Sequence, residues 1–191
     1  MAEHTILKGL DLPINGSPEQ SVSNGANVTR VAILGHDYPS MKPRMAVKEG
    51  DQVKRGQLLF SDRKSEGVNF TAPGAGTIVE INRGEKRAFQ SIVIELDEKG
   101  DASDQVEFPS YKGTAIADLS GDDVRALLGE SGFWTSLRSR PFSRVPSATD
   151  ECDALFVTAV DTNPMAASVE VALAGREAAF LAGLEAVCKL T

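Results

Sequence analysis

The sequence predicts an α+β protein in two parts: a β-rich barrel or sandwich, then the opening of an α/β layer. Two observations carry this. From Leu7 to Leu96, short apolar runs alternate with Gly, Pro, Asn and Asp, as in short strands separated by turns. Beyond about residue 110 the spacing lengthens to that of helices, and a continuous apolar run, Ala154–Val160, lies between two of them. A helix, a strand buried on both faces and a second helix begin an α/β layer.

In order, the expected strands are Leu7–Ile14, Val28–Leu34, Met45–Val47, Gln57–Phe60, Asn69–Thr71, Gly76–Ile81 and Phe89–Leu96. Asp97–Ser110 is polar, acidic and broken by Gly and Pro, so it reads as a linker or surface loop. This places a barrel-like part with its linker at residues 1–110 and an α/β part at residues 111–191. In the second part, Ser120 caps a helix with an acidic first turn at Asp122 and Asp123. Val124, Leu127 and Leu128 form its apolar face, and Gly129 or Gly132 ends it. After the buried run comes a turn at Asp161-Thr162-Asn163-Pro164. Gly175–Leu190 is then a helix with a stripe of Ala179, Phe180, Gly183, Leu184, Val187 and Cys188. One strand with two helices cannot complete a parallel sheet, so the chain reads as a fragment.

Composition narrows the function. A formal charge of -7 opposes binding to a phosphate backbone, and no basic stripe with interleaved aromatics offsets it. A nucleic-acid role is excluded on this reading. The segment MAEHTILKGLDLPI lacks the pattern of a secretory signal. No window approaches the roughly 20 apolar residues of a membrane-spanning helix, so a membrane role would come through partners. Cys152 and Cys188 lie far apart and read as buried small hydrophobes in a reducing, cytoplasmic compartment. His4 and His36 are the only histidines, which argues against a metal site or a catalytic triad. Asp11, Asp161 and other scattered carboxylates make no acid/base pair, so no catalytic residue is assigned.

The most specific local pattern runs from Val47 through Gly50-Asp51, Val53, Gly56-Gln57 and Leu59 to Ala72-Pro73-Gly74-Ala75-Gly76-Thr77-Ile78-Val79. Gly50 and Gly56 supply tight turns, while Val47, Val53, Leu58 and Ile78 fill a small core. The pattern resembles the lipoyl/biotinyl barrel-sandwich hybrid family, in which a hairpin lysine is covalently modified. Lys64 is the lysine of this hairpin. Arg63 stands between it and Asp62, and the interval to Pro73 is one residue longer than the resemblance requires. Lys64 is therefore expected to be a solvated lysine and not a covalent carrier.

Phe133–Pro146 (FWTSLRSRPFSRVP) is the second constellation. An open α/β fold places its ligand near such a loop, and a flavin or NADH phosphate there requires a Gly-rich backbone. Here Phe133, Trp134, Arg138, Arg140, Phe142 and Arg144 stand instead, and their bulk denies a phosphate close approach to the backbone. Trp134 and Phe142 suit stacking on a flat quinone ring, with Arg138 or Arg140 donating to its carbonyl. The alternative is that the aromatics are core and the arginines serve an interface with another polypeptide. In the Pro-rich stretch Leu34–Pro43, His36 and Tyr38 offer further groups for a quinone oxygen, or a plain surface loop.

Several segments resemble the A-subunit family of the sodium-translocating NADH:quinone reductase over almost the whole chain. They are Lys8–Ile14, Glu80–Gly84 with Gln90-Ser91, Glu130–Thr135, Leu137-Arg138, Arg140–Ser143 and Val157–Pro164. The resemblance implies a longer protein, with a barrel-sandwich hybrid followed by a Rossmann-like domain stripped of flavin and NADH sites. It implies a complex that moves electrons from NADH to ubiquinone and exports sodium. It further implies that flavins and an iron–sulfur centre reside in other subunits and that this chain carries no cofactor. The polypeptide would dock on the cytoplasmic side of the bacterial inner membrane, against the membrane-embedded B subunit, and the resemblance also implies an association with ubiquinone.

Overall fold

The computed structural model describes Thr5, Gly9, residues 14–97 and residues 104–191. The expected strand Leu7–Ile14 therefore lies outside the described residues except at Gly9 and Ile14, as do His4, Asp11 and residues 98–103 of the expected linker. Residues 26–155 with 182–191 form one compact unit; Phe156–Leu181 and the described residues up to Gly25 belong to another.

The larger unit contains β1 (Arg30–Leu34), β2 (Pro43–Met45), β3 (Gln52–Val53), β4 (Leu58–Asp62), β5 (Asn69–Thr71), β6 (Gly76–Arg83) and β7 (Phe89–Leu96). They make two antiparallel sheets, ordered β1-β7-β6-β3 and β2-β4-β5. The core between them joins Leu59, Phe60, Val68, Phe70 and Ala72 to Val53, Ile78, Ile92 and Ile94. Phe60 stacks on Phe70 with ring centroids 4.5 Å apart and meets Phe89 edge-on at 5.1 Å. Each large aliphatic or aromatic side chain so buried contributes about 1.5–3 kcal/mol of transfer free energy.

One core assignment is corrected. Leu58, expected inside, is 40% exposed, while Leu59 and Phe60 are both fully buried. The β4–β5 register shifts between Leu58 and Phe60. This bulge inserts one residue against its partner strand and breaks the period of two that placed Leu58 inward. The short strand β3 is also absent from the expected set, because two paired residues leave no readable period. Gly50 (φ 87°) and Gly56 (φ 84°) adopt the left-handed conformation their turns require. A Cβ on Gly56 would lie 2.9 Å from the ring of Phe108. Phe108 belongs to the acidic stretch expected as a linker or surface loop, and residues 104–106 are tied to the barrel. Arg55 N–H donates to Asp104 O at 2.8 Å, and Val106 N–H donates to Arg55 O at 2.9 Å.

Helix α1 (Gly121–Ser131) begins as its sequence demands. Asp123 N–H donates to Ser120 Oγ at 3.1 Å, and Asp123 Oδ2 accepts from Ser120 N–H at 3.1 Å and Ser120 Oγ at 2.6 Å. This reciprocal box satisfies two otherwise unpaired donors. At the other end Gly132 is left-handed. β5 side chains serve the last carbonyls: Asn69 Nδ2 donates to Gly129 O at 3.2 Å and Thr71 Oγ1 to Ser131 O at 2.8 Å. The barrel thus caps the helix that begins the second part of the sequence. Ser120→Ala is expected to cost about 1 kcal/mol in urea unfolding.

The hydrogen bonds from the Ser120 hydroxyl and backbone N–H hold the Asp123 carboxyl below the ordinary Asp value. A depressed folded-state pKa stabilises above the unfolded value and is lost as pH falls through the folded one. Asp123→Asn should therefore remove a small part of the acid-side decline in stability while leaving its shape near neutral pH unchanged.

After α1 the observed structure departs from expectation. Ala154–Val160 forms no strand; Phe156 is 87% exposed and Val160 71%. An apolar run becomes a buried strand only when neighbouring strands accept its backbone, and no strand among the described residues pairs with it. The expected helix Gly175–Leu190 starts later. α2 (Val169–Leu173) precedes it, and α3 (Glu177–Val187) passes into a 3-10 turn at Cys188–Leu190. Of the expected stripe, Val187 packs on the core, while Ala179, Phe180, Gly183 and Cys188 stay exposed. Cys152 is half-buried, and both cysteines are free thiols, so the expectation of two buried cysteines is corrected. Both revisions share a cause: a pattern states which side is apolar but does not supply the surface that covers it. Among the described residues, no helix is long and apolar enough to cross a membrane, and no cluster of His, Cys, Asp and Glu could hold a metal ion.

Candidate functional site

The Phe133–Pro146 segment leaves α1 through a 3-10 turn at Phe133–Ser136 and then forms a tight loop. Ser139 N–H donates to Arg144 O at 2.8 Å, enclosing the cis Arg140–Pro141 bond and Ser143 at φ 54°. These geometries distribute the sequence-predicted residues unequally.

Trp134 faces inward and is only 3% exposed. Its Nε1–H donates to Pro146 O at 2.9 Å, and the Arg125 guanidinium lies 5.2 Å from its ring centroid. Arg125 donates in turn to Ala148 O at 2.6 Å and Asp150 O at 3.0 Å. The aromatic ring therefore anchors the loop to the fold. Phe142 is the opposite case: it is 69% exposed, with Arg144 5.4 Å from its ring centroid. Arg140 is exposed at the tip of the loop.

Tyr38 and Arg138, far apart in sequence, come together with the guanidinium 5.0 Å from the phenol ring centroid. Tyr38 also meets Phe70 edge-on at 4.7 Å. Arg138 donates to Leu137 O at 3.0 Å and to Thr135 O. His36 stands apart and exposed, with Nε2 3.1 Å from Asp37 Oδ1. Of these side chains, then, the structure joins Tyr38 with Arg138, buries Trp134, and leaves Arg140, Phe142 and His36 on the surface.

Three clefts border this region. One of about 420 Å³ is lined by Gly56, Phe108, Thr71, Phe133 and Thr135 among others. Tyr38 lines the other two. A cleft of about 280 Å³ includes Ser40, Asp62, Lys64, Phe70 and Arg144, and one of about 250 Å³ includes Ile33, Asp37, Phe70 and Thr135. Nothing in the sequence links Asp62, Lys64 and Arg144 to Tyr38. A local signal exists for part of this: an Asp two residues before a backbone N–H commonly bonds it. Asp62 Oδ1 indeed accepts from Lys64 N–H and from Lys42 N–H, both at 3.0 Å.

The β4–β5 hairpin bearing Lys64 is held at its tip. Glu66 O accepts from Ala148 N–H at 3.1 Å and Ser147 Oγ at 3.2 Å, and a Cβ on Gly67 would lie 2.7 Å from Ala148 Cβ.

Two packed antiparallel sheets with a hairpin-linked core define a barrel-sandwich hybrid, here continued by a helical part. Comparison with known families agrees with both. Residues 4–97 match the NqrA N-terminal barrel-sandwich hybrid domain, and residues 119–191 match the NqrA second alpha/beta domain. The chain belongs to the NqrA family, the A subunits of the Na(+)-translocating NADH-quinone reductase. It is 51% identical over 188 residues to the A subunit of Marinomonas sp. (strain MWYL1), covering 98% of this chain and 41% of that relative. The relative from Neisseria meningitidis serogroup B (strain ATCC BAA-335 / MC58) is 50% identical over 186 residues, covering 97% and 41%. That of Vibrio atlanticus (strain LGP32) is 48% identical over 187 residues, covering 98% and 41%. The chain thus spans 41% of the length of these curated relatives.

Proposed function

We propose that this chain is a cofactor-free docking part of a sodium-translocating NADH:ubiquinone reductase, on the cytoplasmic side of the membrane and against the membrane-embedded B subunit. The observation that carries this reading is the exposed loop at Arg138–Arg144. It presents Phe142 together with Arg138, Arg140 and Arg144, and Trp134 anchors the loop below them. Aromatic and Arg side chains on a fixed support are the residues that dominate interfaces. The division at residue 110, into a barrel-sandwich part and a degenerate Rossmann-like part, belongs to the same proposal.

Several features support the absence of a resident cofactor. The turn after α1 carries Phe133 and Trp134 where a dinucleotide loop needs glycine, so flavins, NADH and the iron–sulfur centre are assigned to other subunits. The Lys64 hairpin is tied through Glu66 to Ser147 and Ala148, which opposes the mobility a swinging arm requires. Intact mass spectrometry should find no adduct on Lys64.

In the full-length protein, Arg140→Ala with Phe142→Ala should reduce copurification with the remaining subunits by roughly tenfold or more. Wild-type recovery in that double variant would remove the docking reading.

A second reading, a ubiquinone-facing surface, is favoured by one observation: Tyr38 lies beneath Arg138 and lines two clefts. His36, Arg140 and Phe142 would border such a surface, while Trp134 would support it from below. Ubiquinone titration of the full-length protein, followed by intrinsic fluorescence, should saturate and should weaken in Tyr38→Ala and Arg138→Ala. An unsaturable response, or one indifferent to both variants, leaves docking alone.

A further inference from the structure

Resting on the docking reading above, we infer that the partner presents an acidic polypeptide segment and that its carboxylates seat between Lys64 and Arg144 in the cleft beside Tyr38. The chain as a whole has a formal charge of -7, yet this face gathers cations. Lys64 and Arg144 both line the cleft of about 280 Å³. Arg138 lies against the ring of Tyr38, which lines the same cleft. Lys42 and Arg63 are joined beside it by the Arg63 N–H to Lys42 O hydrogen bond of 2.9 Å.

None of these cations is matched by a carboxylate among the described residues, where the ion pairs are Arg30 with Glu95 and His36 with Asp37. Asp62 is the one carboxylate among the described residues that lines the cleft, and its Oδ1 already accepts two backbone N–H groups. Positive charge without a partner, lining a concave surface, is complementary to an anion.

The class of anion follows from the lining. Of the charged groups that line the cleft, Lys64 and Arg144 are cationic and Asp62 anionic, a net charge matched by one singly charged carboxylate. Lys64 and Arg144 line a concave cleft, which suits a side chain that enters it better than a flat lipid surface. Phe142, exposed and in contact with Arg144, gives a polypeptide an apolar anchor next to its carboxylates. Tyr38 and Ser40 add hydroxyl groups to the lining.

The test uses the full-length protein, with the remaining subunits of the complex immobilised as its partner. Binding is measured for wild type, Lys64→Gln/Arg144→Gln, Lys64→Glu/Arg144→Glu and Phe142→Ala at low and high salt (about 0.05 and 0.5 M). Hexaglutamate, inorganic phosphate and anionic phosphatidylglycerol vesicles are the competitors, and circular dichroism verifies that each variant is folded. The Gln pair should weaken binding roughly tenfold at low salt and flatten the salt dependence, with the Glu pair weaker still. Hexaglutamate should compete more strongly than phosphate or vesicles. Wild-type binding by both cleft variants, with Phe142→Ala impaired, would overturn the acidic-segment inference and leave docking intact. Indifference to all three variants would end both. Stronger competition by phosphate or vesicles than by hexaglutamate would also overturn the inference.

Discussion

Trp134→Ala is expected to destabilise the larger unit by about 3–5 kcal/mol, the range for removing a large buried aromatic. The loss has three parts. The cavity lies where the 3-10 turn meets the core. Pro146 O loses the Nε1–H donor that it holds at 2.9 Å. Arg125, which stacks on the ring, loses its platform while remaining bonded to Ala148 O and Asp150 O. With natural stabilities of about 5–15 kcal/mol, such a change removes a large share of the total. Trp134→Phe retains most of the ring and loses the hydrogen bond, so it should cost about 1–2 kcal/mol. Urea unfolding separates the two variants. A Trp134→Ala protein within about 1 kcal/mol of wild type would mean that the ring is not part of the core, and the anchored loop of the docking reading would fail with it.

Gly76→Ala should be comparably severe for a different reason. A Cβ there would run into the Glu95 carbonyl oxygen, 2.9 Å from that carbonyl's carbon and 3.0 Å from Leu96 Cα. All three are backbone atoms of β7, the partner strand of β6, and Gly76 pairs with Leu96 in the register. No side chain can rotate away; the two strands must separate at the base of the sheet. The expected cost is about 3 kcal/mol or more. Gly183→Ala is the control. It lies in α3 with nothing within 4 Å of the place a Cβ would occupy, so alanine should be neutral or stabilising by about 0.5–1 kcal/mol. Near-equal unfolding midpoints for the two variants would contradict the close packing of β6 on β7.

Local chemistry is legible wherever the cause lies within a few residues. The helix start at Ser120 and Asp123 follows from short-range hydrogen bonding, and the turns at Gly50 and Gly56 follow from a backbone conformation that favours glycine. Most strand positions from Arg30 to Leu96 follow from punctuation and period, while the two-residue β3 does not. The errors fall where a distant neighbour decides. Leu58 lies outside the core, with Leu59 buried beside it, because a bulge opposite Thr71 and Phe70 shifts the register. The acidic stretch from Asp97 reads as a linker or a surface loop, and only the fold shows its described part held on the barrel through Arg55 and Gly56.

The candidate site divides in the same way. Residue types alone give the expectation that Phe133–Arg144 is too bulky for a phosphate loop, because side-chain volume does not depend on the fold. They also establish the barrel-like pattern between Val47 and Val79, since turns and alternation are local. The folded chain was needed to show that Trp134 points inward while Phe142 points outward, that Tyr38 meets Arg138, and that Lys64 shares a cleft with Arg144. It was needed, too, to reveal that no strand among the described residues pairs with Ala154–Val160, because burial requires a second surface and hydrogen bonding requires a second strand. Such contacts join residues far apart in the chain, and their geometry follows from sheet register and packing that no short window of sequence contains.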